Sequence, residues 1–240
     1  MNKRLKAKRK TKDKVLRQPL VNRIIHWGVA ISTFMLIITG IGQMPVYQRY
    51  LIIRPFGTEW LTNYINTLWV HYFFAITLLF FISFHLVYHG IRRNFALIPR
   101  RGDVKQSYLV IKAMILRQKE PPCDKYLPEQ RLAYAFFAVA FAIVVVTGII
   151  KVIKNVMGIT PTNGILFWGA QLHNLGTVLV ILGIVLHLAA FLFKDNRKLL
   201  PCMFTGYMDK KCAMERHSLW YQKLEQEEKE KQTEEEKPAS

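Results

Sequence analysis

Four long apolar runs alternate with charged stretches along this chain of 240 residues. Each run carries almost no charge and is about as long as the roughly 18 residues that an α-helix needs to cross a bilayer. The pattern therefore predicts an all-α membrane protein, a four-transmembrane-helix bundle. It excludes a soluble α/β enzyme, a disordered chain and a disulfide-rich secreted domain. The predicted spans are about 24–41, 70–90, 132–152 and 171–193.

The distribution of basic residues predicts the orientation of these spans. The net charge is +18, and residues 1–23, 92–131 and 194–240 hold ten Lys and Arg each. The other two loops hold only four between them. Because cytoplasmic loops collect Lys and Arg, both termini are predicted to be cytoplasmic. The chain is thus predicted to comprise a basic cytoplasmic arm (1–23), a four-helix transmembrane domain (24–193) and a cytoplasmic tail (194–240). This topology explains the charge without nucleic acid as a partner.

Histidines are the chemistry-bearing residues of the spans, and their spacing is regular. His71 and His85 are 14 residues apart, and so are His173 and His187. On an α-helix, 14 residues make nearly whole turns and rise about 21 Å, so each pair shares one face with a member near each side of the membrane. Two parallel helices with such pairs suit two haems, each held by imidazoles. No C-x-x-C-H motif is present, so the haems would be non-covalent b-type haems.

The residues alone assign only part of the ligand set. His71 and His173 form the predicted outer pair. The inner partner of His187 stays open between His26, near the cytoplasmic end of the first span, and His85. A small proton channel or transporter that uses the histidines as relays is the alternative of another class. Such proteins usually have broken helices or acidic residues within their spans, and neither occurs here.

Motifs of a known family run along about residues 23–225. They are Arg23-Ile-Ile-His26-Trp27, Thr39-Gly40, His71, Lys125-Tyr126, Gln130, Thr147-Gly148, His173, His187, and His217 followed by Leu219-Trp220-Tyr221. On these motifs the chain resembles the cytochrome b (gamma) subunits of membrane-bound formate dehydrogenases, within the prokaryotic di-haem membrane cytochromes b. The resemblance implies that His26 and His187 bind the inner haem, and that His71 and His173 bind the outer one.

The resemblance also implies a place in respiration, in the bacterial inner membrane. A molybdopterin (alpha) subunit outside the membrane would oxidise formate, and an iron–sulfur (beta) subunit would pass the electrons to the outer haem. From the inner haem, quinone (menaquinone or ubiquinone) would take the electrons on the cytoplasmic side. This chain would be the electron-transfer and quinone-reducing subunit and would not itself oxidise formate. The related alternative is the cytochrome b subunit of a nickel–iron hydrogenase or of a thiosulfate or polysulfide reductase.

The predicted quinone site departs from the family pattern. The family has an Asn-x-Gly turn just before the third span, where this chain has Leu127-Pro128-Glu129. The candidate polar contacts to quinone that remain are Tyr126, Gln130 and Arg131.

Overall fold

The structure is a computed structural model that describes residues 13–44, 59–159 and 161–235. Most of the basic arm, residues 1–12, and the end of the tail, residues 236–240, lie outside the described residues. The longer helices are α1 (Leu20–Gly42), α2 (Tyr64–Ile91), α3 (Asp103–Ile115), α4 (Pro128–Met157) and α5 (Asn163–Ala189). One 3₁₀ turn, Glu59–Thr62, precedes α2, and another, Ala190–Leu192, extends α5.

Further helices follow α5 in the tail. They are the helices α6 (Lys194–Arg197), α7 (Cys202–Thr205), α8 (Lys210–Arg216) and α9 (Ser218–Glu235). Two three-residue strands, β1 (Lys14–Leu16) and β2 (Tyr207–Asp209), pair antiparallel with Val15 opposite Met208. The start of the chain is therefore joined to its tail by backbone hydrogen bonds.

The four predicted spans are confirmed as long apolar helices: α1, α2, α4 and α5 with its 3₁₀ extension. In the most apolar stretch of each, only 6–22% of the residues are buried inside the protein. The outward surface is therefore apolar, which suits lipid rather than water. Two helices begin about one turn before the predicted span, at Leu20 and Pro128. Pro128 suits the first position of α4 because its missing N–H would have no partner there.

The described residues form two compact units. The helix unit contains the described parts of 20–94 and 140–181. The composite unit contains the described parts of 1–19, 95–139 and 182–240, so three separate segments of the chain build it. Within the helix unit, α1 packs on α2: the ring of Phe81 lies directly over Gly28, where no Cβ would fit.

The composite unit has its own apolar core. Buried members of this core come from α3, the rest of the connector between α2 and α4 (residues 92–127), the tail helices, the turn between α6 and α7, and β2: Val110, Cys123, Leu127, Leu199, Cys202, Met208, Ala213, Trp220 and Tyr221. His217 is completely buried beside them, and its Nδ1 donates to the backbone oxygen of Asp124 at 2.8 Å. The His217…Trp220-Tyr221 motif therefore has a structural role here: it joins the tail to the connector.

Candidate haem and acceptor sites

The end of α1 orients His71, which lies in the third turn of α2. The Thr39 hydroxyl lies 2.8 Å from His71 Nδ1 and 2.7 Å from the backbone oxygen of Met35. A hydroxyl has one proton, and the Met35 carbonyl can only accept it. The Thr39 oxygen therefore accepts a hydrogen bond from His71 Nδ1–H. This tautomer leaves the lone pair on Nε2, the form of imidazole that binds a metal ion.

The same arrangement is built a second time between α4 and α5. Thr147 Oγ1 lies 2.6 Å from the backbone oxygen of Ile143 and 2.9 Å from His173 Nδ1. By the same argument the hydroxyl donates to the carbonyl, His173 donates from Nδ1, and Nε2 keeps its lone pair. Thr39-Gly40 with His71 in the first half of the sequence, and Thr147-Gly148 with His173 in the second, thus share one local geometry.

Glycine follows threonine in both halves and brings the backbone next to the histidine ring. A Cβ at Gly40 would lie 3.7 Å from His71 Cε1, and one at Gly148 would lie 3.6 Å from His173 Cε1. The structure therefore gives His71 and His173, the predicted outer pair, the same threonine and glycine neighbours.

The predicted inner ligands have different surroundings. His26 is half-buried, with its ring edge-on to Trp27 at 5.5 Å between centroids. His187 is exposed and lies edge-on to Phe137 and Phe191, with centroids 6.4 and 5.9 Å away. His85, the alternative inner ligand, has its ring 4.6 Å from that of His89. Because His26 belongs to the helix unit and His187 to the composite unit, their pairing stays a prediction from the resemblance.

The glycines on the histidine face of α5 pack against α4. A Cβ at Gly176 would lie 2.7 Å from Val144 Cγ1, and one at Gly183 would lie 2.9 Å from the rings of Phe136 and Phe137. Both distances are too short for real atoms, so these glycines permit close helix packing.

Two of the candidate quinone contacts, Tyr126 and Gln130, lie around a buried arginine in the composite unit. Arg17 is only 4% exposed, and its Nη2 donates to the Lys125 carbonyl at 2.8 Å and to Gln130 Oε1 at 3.3 Å. Its guanidinium also lies over the ring of Tyr126 at 5.7 Å. Among the described residues, no carboxylate forms an ion pair with Arg17, and its Nε has no hydrogen-bond partner. Burial lowers the pKa of this guanidinium.

Arg131 has structural partners for each of its nitrogens. Nε and Nη2 donate to the two oxygens of Asp103 at 2.8 and 2.5 Å, and Nη1 donates to the Tyr126 carbonyl at 2.7 Å. Both charged side chains are almost completely buried. The hydrogen bonds from Arg131 hold the pKa of the Asp103 carboxyl below its usual range. Two residues before Arg131 in α4, both carboxylate oxygens of Glu129 are buried without a hydrogen-bond partner in the described structure.

The profile of the prokaryotic cytochrome b561 family matches residues 17–206. The chain belongs to this family. It is 23% identical over 226 residues to the cytochrome b556(Fdn) subunit of the nitrate-inducible formate dehydrogenase of Escherichia coli K12, a match that covers 92% of this chain and 96% of the relative. The corresponding subunits of Escherichia coli O157:H7 and Shigella flexneri match with the same identity and coverage. The expected kinship with a formate dehydrogenase cytochrome subunit is therefore confirmed.

A cytochrome b of this family implies haem b, and the histidine geometry fits it. Haem iron binds imidazole through a nitrogen lone pair, which requires that the other ring nitrogen carry the proton. Thr39 and Thr147 impose this condition on His71 and His173 through their hydrogen bonds. Sequence reasoning found both threonines as parts of a motif but did not find their contacts with the histidines.

Arg17 and Asp103 are the polar residues that sequence reasoning missed. Arg17 was counted among the ten basic residues of the arm, and its burial depends on contacts with residues more than 100 positions away. Asp103 is the first residue of α3 and the one acidic residue between Arg92 and Lys119. Its isolation in so basic a connector was the available signal for an ion pair.

Proposed function

We propose that this cytochrome b561-family protein is the membrane-embedded di-haem subunit of a respiratory formate dehydrogenase. The supporting observation is the pair of threonine-oriented histidines, His71 and His173, in a chain that matches a formate dehydrogenase cytochrome subunit over nearly its whole length. In this proposal the inner membrane holds the chain, with both termini in the cytoplasm.

His71 and His173 would hold the outer haem, and His26 and His187 would hold the inner haem. When bound, haem supplies an iron that takes up and releases one electron at a time. Thr39 and Thr147 keep the ligand imidazoles in the metal-binding tautomer. The apolar spans exclude water from the ligand histidines. The proposed donor is an iron–sulfur subunit that receives electrons from a molybdopterin subunit, where formate is oxidised.

Quinone is the proposed acceptor, in contact with residues of the composite unit. Reduction of one quinone to quinol takes two electrons and two protons, and these protons would come from the cytoplasm. Gln130 and Tyr126 would contact the quinone, and burial raises the pKa of the Tyr126 hydroxyl, so it stays protonated. Arg17 contacts both Gln130 and Tyr126, and its positive charge would favour electron uptake by a carbonyl of the bound quinone. Arg131 would position this site through its bond to the Tyr126 carbonyl.

The proposal is tested by counting haem and by supplying donors. Pyridine extraction of the purified chain should give two b-type haems per polypeptide, and formate should reduce both in membranes that contain the whole complex. Reduction by hydrogen but not by formate would assign the chain to a hydrogenase instead. A folded chain without haem, from cells with ample haem, would overturn the electron-transfer role altogether.

A further inference from the structure

Helix α3 packs one face against the rest of the composite unit, and it also carries an apolar stripe that no described residue covers. Asp103, Ser107, Val110 and Ala113 are its buried residues. The stripe consists of side chains 4, 3 and 4 residues apart, which a helix places on one line. Its members are Val104, Tyr108, Ile111 and Ile115, exposed by 73%, 65%, 39% and 62%. Four large apolar residues in one exposed line are more than scattered surface positions provide.

Basic residues border this stripe. Lys105 and Lys112 are exposed, lie seven residues apart and follow one another along the same side of the helix. Arg101 precedes α3, and Arg117 follows it. The one acidic residue of the helix, Asp103, is buried in its ion pair with Arg131. The exposed surface of α3 is therefore apolar and positive, without a negative charge of its own.

The ion pair also fixes where α3 begins relative to a membrane span. Asp103 is the first residue of α3, and Arg131 lies in the first turn of α4, which continues as an apolar span. Two hydrogen bonds at 2.8 and 2.5 Å join the two side chains. The first turn of α3 is therefore held at the level where α4 enters the bilayer. A helix with an apolar stripe and lysines beside it at that level has the features of an interfacial helix.

We propose that α3 lies in the headgroup region of the bilayer as an anionic-lipid-binding helix. The stripe of Val104, Tyr108, Ile111 and Ile115 faces the acyl chains, and Lys105 and Lys112 bind lipid phosphates while their stems lie along the apolar surface. Anionic lipid is the occupant that satisfies both the apolar stripe and the positive border. This role does not depend on the identity of the electron donor or the acceptor.

Spin labels placed one at a time along α3 of the full-length holoprotein, in nanodiscs that contain phosphatidylglycerol, test the position of the helix. Labels at 104, 108 and 115 should be more accessible to oxygen than to a water-soluble nickel reagent, and a label at 106 should show the reverse. Greater accessibility of the stripe to nickel would overturn the proposal. Protection from both reagents would show a protein partner on the stripe and would also overturn it.

Hydrogen exchange tests the role of the lysines without labels or cysteine substitutions. Amides of α3 should exchange about tenfold or more faster in phosphatidylcholine nanodiscs, and in the Lys105→Glu/Lys112→Glu variant, than in the wild-type protein with phosphatidylglycerol. The matched control is Lys229→Glu/Lys231→Glu in the exposed second half of α9, which changes the net charge equally. Equal α3 exchange in both lipids, or equal effects of the two variants, would overturn the proposed lipid contact.

Discussion

The two compact units differ in the residues that they bury and in those that they expose. In the helix unit, small polar side chains such as Ser32, Thr39 and Thr147 are buried, whereas Trp69 and Ile76 are about 70% exposed. The composite unit instead buries an apolar core and exposes most of its charges. The difference reflects the surroundings of each unit, since lipid covers an apolar surface without cost but water does not. The helix unit thus has an apolar surface suited to lipid, whereas the composite unit has an apolar core and a charged surface suited to water.

The units also satisfy their buried polar groups differently. In the helix unit, a threonine hydroxyl donates to its own helix and keeps an oxygen lone pair for a histidine. In the composite unit, full charges are buried, and Arg131 with Asp103 forms a bidentate pair. The helix unit therefore holds neutral imidazoles ready for a metal, whereas the composite unit joins distant segments of chain by charge.

The largest expected effect comes from removing an imidazole from the helix unit. We expect His173→Ala to lose the outer haem, because the variant lacks an imidazole that would bind the haem iron. Haem content per chain, measured by pyridine extraction, should fall by half, and reduction by the donor should stop. His85→Ala is the matched control on α2 and should keep its full haem content. Full haem content in the His173 variant would contradict the ligand assignment.

The next effect concerns the charge pair of the composite unit. Asp103→Ala leaves the Arg131 cation buried without its partner, and loss of one member of a buried pair costs about 3–5 kcal/mol. We expect the composite unit to open more readily, seen as faster proteolysis of the connector, while the outer haem is kept. Asp195→Ala is the control, because its pair with Lys198 is about half-exposed and contributes about 1 kcal/mol or less. Equal proteolysis of both variants would argue against a stabilising role for the buried pair.

A smaller effect is expected from the threonines that orient the ligands. Thr39→Val and Thr147→Val keep the side-chain shape but remove the oxygen that accepts from the histidine Nδ1–H. This bond raises the basicity of a metal-bound imidazole, so its loss should make the reduction potential of the outer haem more positive. Redox titration of the purified protein measures the shift. Thr177→Val is the control, because its hydroxyl donates to the backbone oxygen of His173 rather than accepting from an imidazole. Unchanged potentials in both variants would exclude this orienting role.

The sequence predicted the helix unit better than the composite unit, for a physical reason. A membrane span is a local pattern of about 20 apolar residues, and the 14-residue histidine spacing is local to one helix. The bond between Thr147 and His173 and the burial of Arg17 depend instead on contacts between separate elements. From the sequence, the three segments of the composite unit were predicted only as a basic arm, a charged connector and a tail, without contacts among them. Their common core includes Val110 and Trp220, which are far apart in the chain and show no shared pattern.

The smallest effect is a pH dependence confined to the composite unit. Burial holds the pKa of His217 at about 4, below its usual 6.5, so the folded unit keeps this histidine neutral. Between these pH values the unfolded state binds more protons, so stability is complete above pH 6.5 and falls as the pH decreases toward 4. Between pH 7 and 5.5 the loss should be about 1 kcal/mol, seen as faster hydrogen exchange in α8 and α9. In the His217→Asn variant the amide can still donate to the Asp124 carbonyl but cannot titrate. Hydrogen exchange in α8 and α9 of this variant should therefore change less between pH 7 and 5.5. If both proteins respond equally, the acid sensitivity of the composite unit arises from a group other than His217.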